Sequence, residues 1–241
     1  MEQWGAKEVM DLIKQLEQIR DQTVQNKESV MALYSNFDPR KDARITAFSK
    51  MINIFNSVQL ALIFISEHLL DLNWWKAISR EVIPVSDVRR YVAEFMNFSK
   101  IGFVQSLFSA TESSLRLFLR ALDPAACDGG TGPFKSIYDC LFTTKLSACP
   151  PEGVELLDLF RLVRNTIHNN GVYFHRDGRN VTVTWRGTSY EFKQSLPVNF
   201  VTWQFLLEIS DAIRHLMYSV VTDAKLRTMT REITDPFTFD C

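Results

Sequence analysis

The side chains best suited to chemistry in this 241-residue chain lie in one short stretch. Asp158, Arg161, Arg164, Asn165, His168 and Asn169 recur at intervals of three, four and seven. At about 100° per residue those intervals stack side chains on one side of a helix. Leu156, Leu159, Phe160, Val163 and Ile167 fall on the opposite side, which is the side a core would cover. Imidazole titrates near neutral pH and can give or take a proton. A guanidinium fork pairs with two oxygens of an anion, and a carboxamide can orient either. Such a face suits proton transfer at a bound anionic group. Solvated helix faces also carry Arg and Asn, so the pattern has a plainer reading, in which Asp158 partners Arg161.

Long helices must position that face. Apolar residues at helical spacing predict an amphipathic helix over Lys7 to Leu33 and a buried one over Ile45 to Leu72. Pro84 and Ser86 open a third running towards Leu122, with Gly102 as a site of bending. Cys127 to Pro133 reads as a connector and Phe134 to Phe142 as a short helix. The helix with the polar face is the best delimited: Pro150 and Pro151 precede it, Glu152 and Glu155 open it, and Gly171 closes it after Asn169 and Asn170. Three short runs, Val172 to Arg176, Asn180 to Trp185 and Ser189 to Lys193, predict an antiparallel meander punctuated by Asp177-Gly178 and Arg186-Gly187. Pro197 and Asn199 open a last helix through Val220, and a polar tail follows. The expected fold is mainly α, a helical bundle with a small β-meander insert, in a single domain. Its parts would be an N-terminal helical extension (1–83), core bundle helices (84–170), the meander (171–195), the last core helix (196–225) and the tail (226–241).

Composition narrows the class. Nine glycines and eight prolines are few for an all-β protein, and eighteen phenylalanines imply a thick core. A net charge of −1 provides no global attraction for polyanions, so any nucleic-acid contact must be local. From Arg161 to Lys193 the balance is nevertheless +4, leaving −5 elsewhere. Cys127, Cys140, Cys149 and Cys241 lack CxxC or metal-ligand spacing, and the start of the chain is not basic then apolar. A reduced, cytoplasmic protein without a membrane segment is expected, since Leu60 to Ile65 is far shorter than the roughly 20 residues of a span.

The string from Arg161 through Arg164-Asn165 and His168-Asn169-Asn170 to Gly171 resembles the motif of the HEPN superfamily, helical ribonucleases and their inactive relatives. That motif is an Arg, often followed by Asn, Asp or His, then a His after four to six intervening residues. Read from Arg161, six residues precede His168; read from Arg164-Asn165, three do, and Asn169 holds the usual His position. Both arginines remain candidates. The resemblance implies a metal-independent endoribonuclease that needs no cofactor, in defence or stress response. Its chemistry would be attack of a ribose 2′-hydroxyl on the phosphate, leaving a 2′,3′-cyclic phosphate and a 5′-hydroxyl. His168 would be the acid/base, Arg161 and Arg164 the phosphate binders, and Asn165 and Asn169 the orienting groups. One histidine per face implies a homodimer that joins two motifs. RNA is then the expected partner, with Arg176, Arg179 and Arg186 as further contacts, and a separately encoded protein antidote as another. The alternative is a catalytically inactive module for dimerisation or for binding RNA or protein.

Other patterns are weaker. His175-Arg176-Asp177 spells a kinase tripeptide, but no DFG follows. Asp128 to Pro133 is glycine-rich but lacks a P-loop ending. His168 and His175 have no third metal ligand at recognisable spacing. His68 and His215 read as core histidines, and Glu112 and Arg116 as an intrahelical pair that could face the site. Tyr173, Phe174, Trp185 and Tyr190 would either stack on unpaired bases or pin the meander to the bundle.

Overall fold

The computed structural model describes residues 5–79 and 83–236. It is mainly helical. α1 (Ala6–Leu33) and α2 (Ala43–Phe64) pack on each other, and α2 runs into a π-helical turn, Ile65–Leu69. The short α3 (Leu72–Ile78) leads to α4 (Val85–Leu122), which passes unbroken through Gly102. α5 (Cys127–Gly130) is a single turn, and α6 (Phe134–Cys140) ends in a second π-helical turn, Leu141–Lys145. α7 (Gly153–Ile167), the hairpin of β1 (Val181–Trp185) and β2 (Thr188–Phe192), α8 (Trp203–Val221) and α9 (Ala224–Arg227) follow. Buried side chains from Val9 to Ile233 form one hydrophobic cluster, so α1 and α2 share their core with α4, α7 and α8. Ala43–Leu69 is long and apolar enough to meet the length-and-composition measure of a membrane span. Here it packs through Phe48, Met51, Phe55 and Val58, against α1 and α4 among others.

The insert has two strands, not three. Val181 pairs with Phe192 and Trp185 with Thr188 in an antiparallel register. The expected first run stays outside the sheet: Val172 makes an isolated bridge with Pro197, Tyr173 exchanges backbone bonds with Ser195 and Leu196, and the chain then turns at Gly178. That bridge also delays the last helix. Val198 N–H donates to the Gly171 carbonyl at 2.9 Å, which keeps residues 197–201 out of a helix until Thr202 caps the Phe205 amide at 3.2 Å.

The segment after α8 is not a free polar tail as far as residue 236. Arg44 and Asp42 are wholly buried and paired at 2.5 Å. The Arg44 guanidinium lies over the rings of Tyr34 and Phe37, 4.1 and 4.6 Å from their centroids, and donates to the carbonyls of Leu226 and Arg231. Asp42 accepts the Ile233 amide at 3.2 Å. Thr46 and Lys50 both bond Asp235. Cys241, expected to be a free thiol, lies outside the described residues. The pair therefore joins the start of α2 to the chain beyond α8. Replacing Asp42 by Asn should cost about 3–5 kcal/mol in denaturant unfolding, the range for stranding one member of a buried ion pair; a loss within experimental error would refute that role.

Candidate functional site

α7 exists because its apolar side has a place to go. Leu156, Leu157, Leu159, Phe160 and Val163 are buried, and the Phe160 ring meets Phe108 of α4 edge-on at 5.4 Å. The helix packs on α4, α6, α8 and β1. Glycine fits closely at its start: a Cβ on Gly153 would come within 3.1 Å of Leu216 and 3.2 Å of Phe142, so those side chains would have to shift by a few tenths of an ångström. At its end Asn170 and Gly171 take positive φ, and the Gly171 amide reaches back to the Thr166 carbonyl at 2.9 Å. These constraints fix which way the polar side points.

On that side the two arginines differ. Arg161 is held by Asp158 at 3.1 Å and lies 3.3 Å from the Tyr138 hydroxyl, which itself donates to Asp158 at 2.6 Å. Lys135 reaches the second Asp158 oxygen at 3.2 Å. Burial pulls the Asp158 carboxyl upward, but the bonds from Tyr138, Arg161 and Lys135 outweigh it and hold the group below its ordinary value. Burial, with the bond to Asp158, pushes the Tyr138 hydroxyl up, so Tyr138 is no proton source at neutral pH. Arg161 has a counter-ion and a fixed position.

Arg164 has neither. It is half-buried and lies over the Phe108 ring, 5.2 Å from its centroid, and one of its terminal nitrogens is 3.4 Å from the Asn165 side-chain oxygen. Its Nε is buried without a hydrogen bond, and among the described residues no carboxylate lies within ion-pair distance. One turn later His168, exposed at the end of α7, meets Gln105 of α4 with their nitrogens 3.4 Å apart. The Asn169 side chain donates to the Asn165 carbonyl at 3.2 Å. Arg164, Asn165, His168 and Asn169 thus share one place with Gln105 and Phe108.

Of the three more distant arginines, none has a hydrogen bond to a residue of that set among the described residues, and Arg186 lies far from it. Arg186 pairs with Glu152 at 3.3 Å and covers Trp185. Glu152 precedes α7 and His168 follows it, so some 16 residues at 1.5 Å each, about 24 Å, separate the two ends. Arg179 lies against His175, 3.3 Å between nitrogens, in the exposed turn at Asp177 and Gly178, and Arg176 is exposed beside it. Among the aromatics, Tyr173 and Trp185 are buried and Tyr190 packs on Phe200 and Phe205. They pin the hairpin; Phe174, at 54% exposure, is the one left facing solvent.

Other expectations are resolved similarly. Glu112 and Arg116 do pair at 2.5 Å, and Arg116 also donates to the carbonyls of Gly130 and Gly132. The glycine-rich connector is therefore clamped through its carbonyls, the wrong polarity for cradling a phosphate. His215 is not a core histidine: it faces solvent beside Arg214 and Asp211, because the buried side of α8 is filled by neighbours such as Ile213, Leu216 and Met217. His68 is partly buried against Phe64 and Trp74. No group of three or more His, Cys, Asp or Glu side chains is placed to hold a metal among the described residues. Tyr138, Lys135, Gln105 and Phe108 went unnoticed in the sequence as site components, since nothing in their spacing connects them to α7.

Neither a family model, nor a curated protein, nor a solved structure matches the chain. The likeness to HEPN proteins is accordingly a resemblance of sequence, sharp over Asp158 to Gly171 and diffuse elsewhere.

The network around Asp158 has a pH signature. Because folding lowers its pKa, its contribution is fully present above the ordinary value of 3.8 and is lost as pH falls through the lower folded value. Asp158→Asn should destabilise the fold by about 1.5–3 kcal/mol near neutrality, the range for hydrogen bonds to charged groups. Denaturant unfolding at successively lower pH should show the gap between the two proteins shrinking below about pH 4. A gap that stays constant down to pH 2 would contradict the assignment.

Proposed function

We propose that the chain is a metal-independent endoribonuclease of the HEPN type, with Arg164, Asn165 and His168 as its working groups. The observation that carries this reading is a half-buried guanidinium without a counter-ion, one helical turn before an exposed imidazole. Arg164 would bind the scissile phosphate, its charge strengthened by partial removal from water. His168 would move a proton at the 2′-hydroxyl or the departing 5′-oxygen. Asn165 lies against Arg164 and would steer it, while Asn169, bonded to the Asn165 carbonyl, would stiffen the helix end. Arg161 would act indirectly, by fixing α6 to α7 through Asp158 and Tyr138. The products would be a 2′,3′-cyclic phosphate and a 5′-hydroxyl, and the functional unit a homodimer that supplies a second imidazole.

A second reading is favoured by the three-residue interval between Arg164 and His168, shorter than the family's pattern. In it the same surface binds RNA without turnover. Mixed RNAs incubated with the protein in chelator separate the two. On the first reading His168→Ala lowers cleavage by about 10²–10⁴-fold, the usual share of a general acid–base. Arg164→Ala lowers it by about 10²–10³-fold, and Arg161→Lys leaves the rate nearly unchanged. Cleavage that survives His168→Ala would overturn this site. Salt-dependent binding with no cleavage by the unaltered protein would establish the second reading.

A further inference from the structure

A cavity of about 230 Å³ opens in a groove between α4 and the end of α7, beside the contact of Gln105 with His168, and is not used by the chemistry above. Its walls are α4 (Asn97, Lys100, Ile101, Val104), the end of α7 with the following turn (Ile167, Asn170), and the loop carrying Val198 and Val201. Its distance from the reactive groups follows from chain positions. Ile101 is one helical turn before Gln105, which touches His168, and Ile167 is the residue before His168. α4 and α7 cross this region in opposite directions, since Gln105 meets His168 while Phe108 meets Arg164. Along the groove the order is therefore cavity, then His168, then Arg164.

We propose that this cavity is a nucleoside subsite for the RNA residue next to the scissile phosphate; the choice of RNA as ligand rests on the ribonuclease reading. Three features specify the occupant. Opposed aliphatic walls, Ile101 and Val104 from α4 and Val198 and Val201 from the loop, suit a flat ring held between apolar side chains. Asn97 and Asn170 expose carboxamides that bond no other protein group among the described residues, and each can both donate to and accept from a base edge. Lys100 donates to the Val201 carbonyl at 3.1 Å and has no carboxylate within ion-pair distance among the described residues, so its ammonium keeps donors for a phosphate or ribose oxygen. The volume lies below the roughly 300 Å³ at which pockets for drug-sized ligands begin, so the occupant is small. The walls are also set before binding: the Val172 to Pro197 bridge and the Val198 to Gly171 bond hold the loop, and the positive φ of Asn170 is fixed by the end of α7.

The test uses the full chain carrying His168→Ala, titrated separately with the four nucleoside 3′-monophosphates and with inorganic phosphate, read by calorimetry. At least one nucleotide should bind 10-fold or more tighter than phosphate. Asn97→Ala, a change on an exposed helical surface, should abolish that preference, and Lys100→Met should weaken all the nucleotides together. Equal binding of all four nucleotides and phosphate, or a preference unchanged by Asn97→Ala, would overturn the subsite. With His168 restored, Asn97→Ala should raise KM and alter which sequences are cut while leaving kcat within about 2-fold; cleavage with unaltered sequence choice would also overturn it. The two proposals fail separately. Selective nucleotide binding lost in Asn97→Ala, without RNA cleavage by the unaltered protein, would keep the subsite and remove the nuclease. Cleavage that depends on His168, without nucleotide selectivity, would do the reverse.

Discussion

Whether a guanidinium can serve a ligand depends on whether a carboxylate already holds it, and in α7 that contact separates two residues that look equivalent in sequence. Asp158 is three residues before Arg161 and six before Arg164, so it reaches the first and not the second. Tyr138 and Lys135 from α6 complete the set around Asp158. Arg161 thereby becomes a tie between two helices. Arg164, turned towards Phe108, stays uncompensated. Partial burial of an unpaired charge is unfavourable, and an anion bound in the groove would relieve it. The Phe108 face offsets part of that cost, and the charge left uncompensated beside an imidazole is what supports the reading proposed for the end of α7.

The arrangement depends on parts of the fold far from it. α7 presents its polar side to the groove only because its apolar side is packed on α4, α6, α8 and the hairpin. α4 is in turn packed on α2, and the start of α2 is joined to the chain beyond α8 by the buried Arg44–Asp42 pair. That pair makes many bonds in a small space: Arg44 lies over two aromatic rings and donates to two carbonyls as well as its carboxylate. A buried pair this well satisfied contributes mainly by penalising any packing in which the two ends of the chain part.

Much of this was legible in sequence because helices announce themselves by period. α1, α2, α4 and α7 fall close to where their apolar spacing and their proline and glycine stops predict, and the polar face of α7 follows from the same arithmetic. What failed was set by distant contacts. Val172 bridges Pro197 instead of joining the sheet, and that bridge also delays α8 to Trp203. The residues from Leu226 onward read as a polar tail because Leu226 and Ile233, the two buried apolar ones among the described residues there, are too few to produce a period. In the site, Asp158 was visible as an Arg161 partner at i,i+3, whereas Gln105, Phe108 and Tyr138 come from α4 and α6 and leave no trace in the local pattern. Choosing between the two arginines required knowing where Tyr138 sits.

The groove also constrains what it could do alone. Transesterification at phosphorus needs one group to take a proton and another to give one. His168 can fill either role, but its described neighbours can fill neither: Gln105 and Asn169 carry carboxamides that do not titrate, and a guanidinium remains protonated. Tyr138 is buried, with its proton committed to Asp158. His175 stands apart in the turn after Tyr173, against Asp177 and Arg179. On the proposed reading a single groove thus offers one imidazole for two tasks, and the second would fall to water or to an imidazole from elsewhere. Unaided water is a poor acid at neutral pH. A second copy brings its own His168 without any further machinery, because the residue is exposed at a helix end and not enclosed in a cleft. On the proposed reading, the exposure of this imidazole is the property that would let two of them meet across one phosphate.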